Sequence, residues 1–270
     1  MGSFAIAAKS IGFVPTMGYL HEGHLALVRQ SVAENDVTAA SIFVNPAQFA
    51  AHEDLSTYPR NEVRDLELLE SAGCDIVFLP QTEEIYPENF QTYVLVDEIT
   101  KILEGEFRPT HFKGVTTVVA ILLNLSRCTN AYFGRKDAQQ AAVISRMVKD
   151  LFMPCVVHIC PIVREPDGLA MSSRNIYLDE KDRANALTLF ESLKLAEELV
   201  YKGERDTDRI KKEMLALYGK LKDYELQYIS FTDAESFAEI KEIETGKPFY
   251  ILIACRMGKT RLIDNFLLTV

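Results

Sequence analysis

The sequence predicts an α/β protein: a doubly wound parallel sheet in residues 1–162 and a smaller α+β domain in residues 163–270. Three observations predict it. Short β-branched or aromatic runs alternate with helical patterns of roughly 10–15 residues, the rhythm of strand–helix–strand crossovers. The strand candidates are nearly continuous apolar runs, as expected where helices cover both faces of a sheet. After Asn175 the order changes to two charged amphipathic segments followed by three strand-like runs, which suits a separate unit.

Taken in order, Ile11–Val14 reads as a strand, Leu25–Ala33 as a helix and Val37–Val44 (VTAASIFV) as a strand. Val63–Ser71 carries a helical pattern, and Asp75–Leu79 is strand-like. The apolar run Val115–Leu125 suits either a helix or a strand of the core. Ala131–Phe133 is a short strand, Ala138–Lys149 a helix and Cys155–Val163 a strand. In the second part, Asp179–Tyr201 and Asp206–Lys222 are helix candidates, the first with Asp179 as N-cap. Tyr224–Phe231, Phe249–Cys255 and Thr260–Asp264 follow as strands, the first two separated by Gly246-Lys247-Pro248. The character changes between Pro161 and Asp179, and the boundary is placed at Ile162.

Composition narrows the function classes. Hydrophobic residues make up 48% and charged residues 25% of the chain, enough apolar surface for a core. The net charge of −10 disfavours nucleic acid and anionic membranes as partners while leaving room for a local basic pocket. The five cysteines (Cys74, Cys128, Cys155, Cys160, Cys255) are scattered, with no Cys-x-x-Cys pair. That pattern suits a reducing compartment and neither a disulfide scaffold nor a structural zinc site. No apolar stretch reaches the ~18–20 residues of a membrane span, and Met1–Ser10 makes a poor signal peptide, so a cytoplasmic location is expected.

Three segments carry chemistry. In Gly12–His24 (GFVPTMGYLHEGH) a strand runs into a tight turn at Pro15 and Gly18, and a helix opens near His21. Backbone N–H groups and the helix dipole there favour a bound phosphate. His21 and His24, three apart, share one face of the first turn, and Gly23 permits close approach of a nucleotide. A zinc pair is the rival reading, but zinc helices usually space their ligands four apart; a plain capping turn is another. The second segment, Ala170–Asn175 (AMSSRN), offers two hydroxyls and a guanidinium suited to a triphosphate, although such residues are also common in loops. In the third, Tyr132–Gln140 (YFGRKDAQQ), Lys136 can reach a phosphate, while Asp137 can accept from ribose hydroxyls or form a capping box with Gln140.

Together these segments, HxGH at the first strand–helix turn and a later Ser-Ser-Arg loop, resemble the HIGH-type nucleotidylyltransferase superfamily. Within it, VPTMGYLHEGH, SIFVNPAQF, EDLSTYPR, LEGEFRPTHFKGV, AYFGRKDAQQ, REPDGLAMSSRN and GKTRLIDN are similar to the pantoate–β-alanine ligase family, in its order, from Val14 to Asn265.

The resemblance implies a Rossmann-like fold and a ligase that activates pantoate with ATP to pantoyl adenylate and pyrophosphate, then lets β-alanine displace AMP. It implies ATP binding by Met17, Gly18, Tyr19, Leu20, His21, Glu22, Gly23 and His24, by Gly134, Arg135, Lys136 and Asp137, and by Val163 with Met171, Ser172, Ser173 and Arg174. His24 matches the family's proton donor, with His21, Lys136, Ser172, Ser173 and Arg174 as further catalytic groups. Gln48, Gln140 and Asn45 match pantoate-binding positions, Gln48 also lying near β-alanine, and Tyr58, Glu104 and Arg108 match positions around the same cavity. Mg²⁺ is expected with ATP, its protein ligands unassigned, and a homodimer is implied. Because an acyl adenylate must be kept from water, Leu103–Gly114 is a candidate lid with Gly105 and Gly114 as hinges.

The chain departs from the family pattern in places. Only ten residues precede Ile11 where members carry a further strand and helix, so the sheet is expected to lack an edge element. Arg135 replaces a common Glu, Thr110 a usual Gly, and Ala50-Ala51-His52 a Gly-Pro-Asn-like stretch. Two rival readings are another HIGH-type nucleotidyltransferase, which would leave AMP on a phosphorylated acceptor, and a catalytically impaired ATP-binding protein. Whether AMP release depends on both small substrates separates them.

Overall fold

The computed structural model describes residues 9–51 and 53–270. Met1–Ala8 and His52, on which the expectations about a shortened start and an altered pocket loop partly rest, lie outside the described residues.

The first of two units comprises residues 1–135 and 140–161. Its elements are β1 (Ile11–Thr16), α1 (Glu22–Glu34), β2 (Val37–Ile42), α2 (Glu62–Ser71), β3 (Ile76–Phe78), α3 (Thr82–Ile85), α4 (Glu104–Phe107), α5 (His111–Ser126), β4 (Asn130–Gly134), α6 (Ala138–Asp150) and β5 (Val156–Cys160). The strands form one parallel sheet in the order β3-β2-β1-β4-β5. Parallel neighbours need long crossovers, and the helices between successive strands supply them. The order reverses between β1 and β4, the topological switch point at whose C-terminal strand ends ligands bind in such sheets. The turn after β1 carries the two histidines, and Gly134 ends β4.

The ambiguous Val115–Leu125 run lies in a helix, α5. Chain passing from β3 to β4 must cross the sheet, and a long run buried on nearly every side does so as a core helix. Val118, Val119, Leu122 and Leu123 pack there with Phe13, Phe133 and Ile144. β5 stops at Cys160, short of the expected Val163, because Pro161 has no N–H to give the ladder. Asp137 is the last residue of a 3-10 turn, Arg135–Asp137, that runs straight into α6. The chain is therefore already wound before the position where a capping box was expected.

The second unit comprises residues 136–139 and 162–270. It contains α7 (Glu180–Tyr201), α8 (Thr207–Tyr218) and an antiparallel sheet β6-β7-β8 (Tyr224–Asp233, Phe249–Met257, Thr260–Leu268). Asp179 caps α7 as expected, accepting from the Asp182 N–H at 2.7 Å, and Asp206 does the same for α8. Leu189, Leu193, Ile210, Met214, Phe231, Ile251 and Ile253 form its core. β8 runs four residues past the expected stop at Asp264. Asp264 is buried against a guanidinium, and the ladder continues through Asn265 to Leu268. No helix among the described residues is long and apolar enough to cross a membrane.

Candidate active site

In the first unit the turn after β1 is built by an unusual backbone and a buried acid. Gly18 and Tyr19 both adopt positive φ, +81° and +47°, a conformation costly for any residue but glycine. The N–H groups of Tyr19 and Leu20 donate to the Asp65 carboxylate on α2 at 2.6 and 2.8 Å. Asp65 is only 1% exposed, its nearest cation being Arg64 at 3.4 Å, and the Arg64 guanidinium lies over the Tyr19 ring. A side chain at Gly18 would strike Ile42 and approach Asp65. Asp65 was not among the expected site residues; nothing in its local sequence marks it as the brace of a turn 45 residues away. Leu20, expected at the nucleotide, gives its fully buried side chain to the core, so only its backbone can serve a ligand.

His21 is the N-cap of α1, accepting the Gly23 N–H on Nδ1 at 3.1 Å. His24 closes the reciprocal half of the box, accepting the His21 N–H on Nδ1 at 3.3 Å. The capping and catalytic readings are therefore compatible: capping occupies Nδ1 of each ring, which puts the proton of each neutral imidazole on Nε2. The ring centroids are 4.1 Å apart, so two N–H donors leave one helix start together. Glu22 points elsewhere and pairs with Arg29 on the exposed side.

Gln48 ends a 3-10 turn, Pro46–Gln48, and is buried. Its Oε1 accepts from Asn45 Nδ2 at 3.1 Å, and its Nε2 donates to Met17 Sδ at 3.1 Å. Asn45 is itself fixed, donating to Gly114 O at 3.1 Å and accepting from Tyr86 Oη at 2.7 Å. Burial pushes Tyr86 up to about 12, so its hydroxyl stays a donor. A thioether is a weak acceptor, so the Gln48 amide N–H faces a partner that a hydroxyl or carboxylate oxygen can replace. Gln140, in the first turn of α6, is half-buried.

The segment around Arg108 is a braced corner. Arg108 donates Nε and Nη2 to the two Glu53 oxygens at 2.5 and 2.9 Å. Burial acts to raise the Glu53 carboxyl, but the Arg108 hydrogen bonds and charge outweigh it and hold the group below its ordinary value. His111 bonds Gln48 O through Nδ1 at 3.1 Å and meets Arg108 Nη1 at Nε2, 3.2 Å away; Tyr58 stacks edge-on against Phe49. Backbone packs closely on the two glycines expected to act as hinges. A Cβ at Gly105 would lie 1.7 Å from Thr100 O, and one at Gly114 would lie 2.3 Å from Ala47 O. Both positions are glycine because backbone passes against them. Gly114→Ala is accordingly expected to cost about 1–3 kcal/mol of stability and to weaken pantoate use by shifting Gln48, read by thermal unfolding and pantoate KM.

Burial, with help from the Arg108 charge, pushes His111 down to about 4. The folded group is neutral while the unfolded one protonates near 6.5, so its contribution is complete above that pH and lost as pH falls toward 4. Stability is expected to drop by about 3 kcal/mol through this group across that window. Denaturant titrations of the wild type and His111→Asn at pH 7 and pH 4.5 check it: the variant should show the smaller loss.

In the second unit, Arg164 forks onto Asp264 at 2.6 and 2.9 Å, donates to Gly168 O at 3.0 Å and lies between Phe190 and Phe266. Pairing of Arg164 with Ala170, and the Met171 N–H on Val163 O at 3.0 Å, fold residues 163–171 into a tight loop. Gly168, at φ +100°, backs directly onto the Phe190 ring. Ser172 then caps the 3-10 turn Ser173–Tyr177, accepting from the Arg174 N–H at 3.3 Å, and Ser173 is buried. Lys136 pairs loosely with Asp137 at 3.5 Å, and its carbonyl accepts from Asn265 Nδ2 at 2.9 Å. Arg164, Asp264 and Asn265 were seen only as letters of the motif strings, because Arg164 and Asp264 are 100 residues apart.

Sequence comparison decides the assignment, for the profile of the family "Pantoate-beta-alanine ligase" matches residues 3–267. The chain belongs to the pantoate–β-alanine ligase family. It is a ligase of the Rossmann-like α/β class. It is 51% identical to the pantothenate synthetase of Pseudothermotoga lettingae over 260 residues, 96% of this chain and 92% of that protein. With the pantothenate synthetase of Caldicellulosiruptor bescii it shares 53% over 257 residues, 95% and 90% of the two chains. The crystal structure of the pantothenate synthetase from Thermus thermophilus matches with a TM-score of 0.91 at 43% identity, covering 95% of this chain and 92% of that one. A Francisella tularensis pantoate–β-alanine ligase solved with βγ-ATP and β-alanine matches with a TM-score of 0.77 at 36% identity, covering 96% and 90%.

Proposed function

We propose that the chain makes pantothenate in two half-reactions, with ATP held by the turn after β1 and by the Gly134–Asp137 and Met171–Arg174 segments. The observation that carries this reading is the pair of imidazoles at the start of α1, their Nδ1 atoms occupied by the cap and their donors on Nε2. When the pantoate carboxylate attacks the α-phosphorus, charge grows on the phosphoryl oxygens, and fixed N–H donors stabilise it most where water is excluded. In this reading His24 is the proton donor, as its match to the family implies, and His21 its partner. Lys136, Ser172, Ser173 and Arg174 balance the charge of the departing pyrophosphate. Gln48, with Asn45 behind it and Gln140, orients pantoate, and Gln48 also contacts the incoming amine.

Among the described residues no group of three or more His, Cys, Asp or Glu side chains stands ready to hold a metal. Mg²⁺ would be carried mainly by the oxygens of ATP itself, the usual arrangement for this ion. Bound there, it would shield the pyrophosphate charge. A cytoplasmic homodimer completes the proposal; sedimentation of the purified chain tests the dimer.

Pyrophosphate and AMP release from ATP-Mg tests the reaction. Pyrophosphate should appear with pantoate, and AMP and pantothenate only once β-alanine is added. Release indifferent to pantoate would overturn the reading. Gln48→Ala is expected to raise pantoate KM about 10–100-fold through one lost hydrogen bond to a charged or polar substrate group, with ATP KM within about threefold; an unmoved pantoate KM would remove Gln48 from the site.

A further inference from the structure

Away from the strand ends that carry the site, two cysteines 27 residues apart in sequence bring their sulfurs to 3.5 Å. Cys128 lies in the turn between α5 and β4, and Cys155 directly precedes β5. The parallel register sets Asn130 beside Val156, and the Val156 N–H donates to Thr129 O at 2.9 Å. The segments entering the two strands therefore run side by side. Cys128 is buried, while Cys155 is partly exposed, so a small solute reaches the pair through Cys155.

We propose that Cys128 and Cys155 form a modification site, a dithiol that low-molecular-weight disulfides convert reversibly into an intramolecular disulfide. Sulfurs already in contact need only close to the bond length of about 2 Å. The chemistry is two successive exchanges. A thiolate of the pair attacks one sulfur of the small disulfide RSSR, forming a mixed disulfide and expelling RS⁻. The second cysteine, deprotonated, attacks the protein sulfur of that mixed disulfide and expels the other RS⁻. The two thiol protons end on the two RS⁻ groups, so the protein dithiol is oxidised by two electrons and RSSR is reduced to two RSH.

The surroundings favour this pair over the other cysteines. The two sulfurs share a hydrogen bond that holds the Cys128 thiol below its ordinary value against the effect of burial and raises the Cys155 thiol in return, so Cys128 is the first nucleophile of the pair. Burial pushes Cys160 up to about 11 and Cys255 up to about 12, which keeps them protonated and poor nucleophiles. The new bond would enclose β4 and α6 in a covalent loop and so constrain the unfolded chain. It sits at the N-terminal ends of β4 and β5, opposite the end of β4 that carries Gly134, so turnover should be untouched.

The test incubates the full chain with millimolar oxidised glutathione and follows intact mass, thiol titre after denaturation, and Tm. The expected product is lighter by two hydrogens, titrates three thiols instead of five, and yields a Cys128–Cys155 cross-linked peptide. Its Tm should rise by on the order of 5 °C, its pyrophosphate release should stay within about twofold, and dithiothreitol should reverse the change. C155S should form no internal bond and gain no Tm. Persistence of five thiols, stable glutathione adducts without closure, or a bond between other cysteines would each overturn the proposal in the wild-type protein itself.

Discussion

Asp65→Ala is expected to reduce pantoate-dependent pyrophosphate release by about 10²–10³-fold although Asp65 is not expected to touch substrate. The carboxylate takes the N–H groups of Tyr19 and Leu20 at the point where the backbone is held at positive φ. Without it two buried donors lose their acceptor, at about 1–3 kcal/mol each, and the turn is free to relax toward ordinary φ. The first turn of α1 then shifts, and displacements of about 1 Å in a positioned group cost on the order of 10²-fold in rate. Tm should fall by about 5–10 °C for a chain of this size. Asp65→Asn keeps the shape but turns one acceptor into a donor facing a donor, and should recover less than half of the loss. Activity within threefold of wild type in a folded Asp65→Ala protein would show that the turn holds itself.

His24→Ala is expected to lower adenylate formation by about 10²–10³-fold, the effect of removing one preorganised donor. The fold should survive. The half-buried side chain's structural duty is to accept the His21 N–H, and loss of such a cap costs about 1 kcal/mol. The two roles separate in the measurement: a Tm shift of a few degrees with a near-complete loss of pyrophosphate release. Near-normal release from the folded variant would move the donor role elsewhere, His21 being the first candidate.

Much of this site was legible because its chemistry is local. The HxGH turn needs a strand, a glycine and a helix start within thirteen residues, and all three are written side by side in Gly12–His24. The α/β rhythm was equally readable, since each strand and helix buries its own apolar run. The elements left open or placed short were those whose state depends on a distant partner. The Val115–Leu125 run is a helix because the chain must cross from one side of β1 to the other. Asp264 and Asn265 stay in β8 because Arg164 satisfies the buried carboxylate. Gly105 and Gly114 read as hinges from their flexibility, and the close backbone packing that leaves neither room for a side chain is visible only in the fold.

By itself the sequence determined the fold class, the order of elements, the Asp179 cap of α7, and the strand–turn–helix of Gly12–His24, because periodicity, capping and turn chemistry act over a few residues. Only the tertiary structure decided that Asp65 braces that turn, that Glu53, Arg108 and His111 lock the loop carrying Gln48, and that Cys128 meets Cys155. Those contacts join residues 27 to 63 positions apart. No local rule encodes them, since an interaction at such separation exists only after the sheet has set the strand order and register.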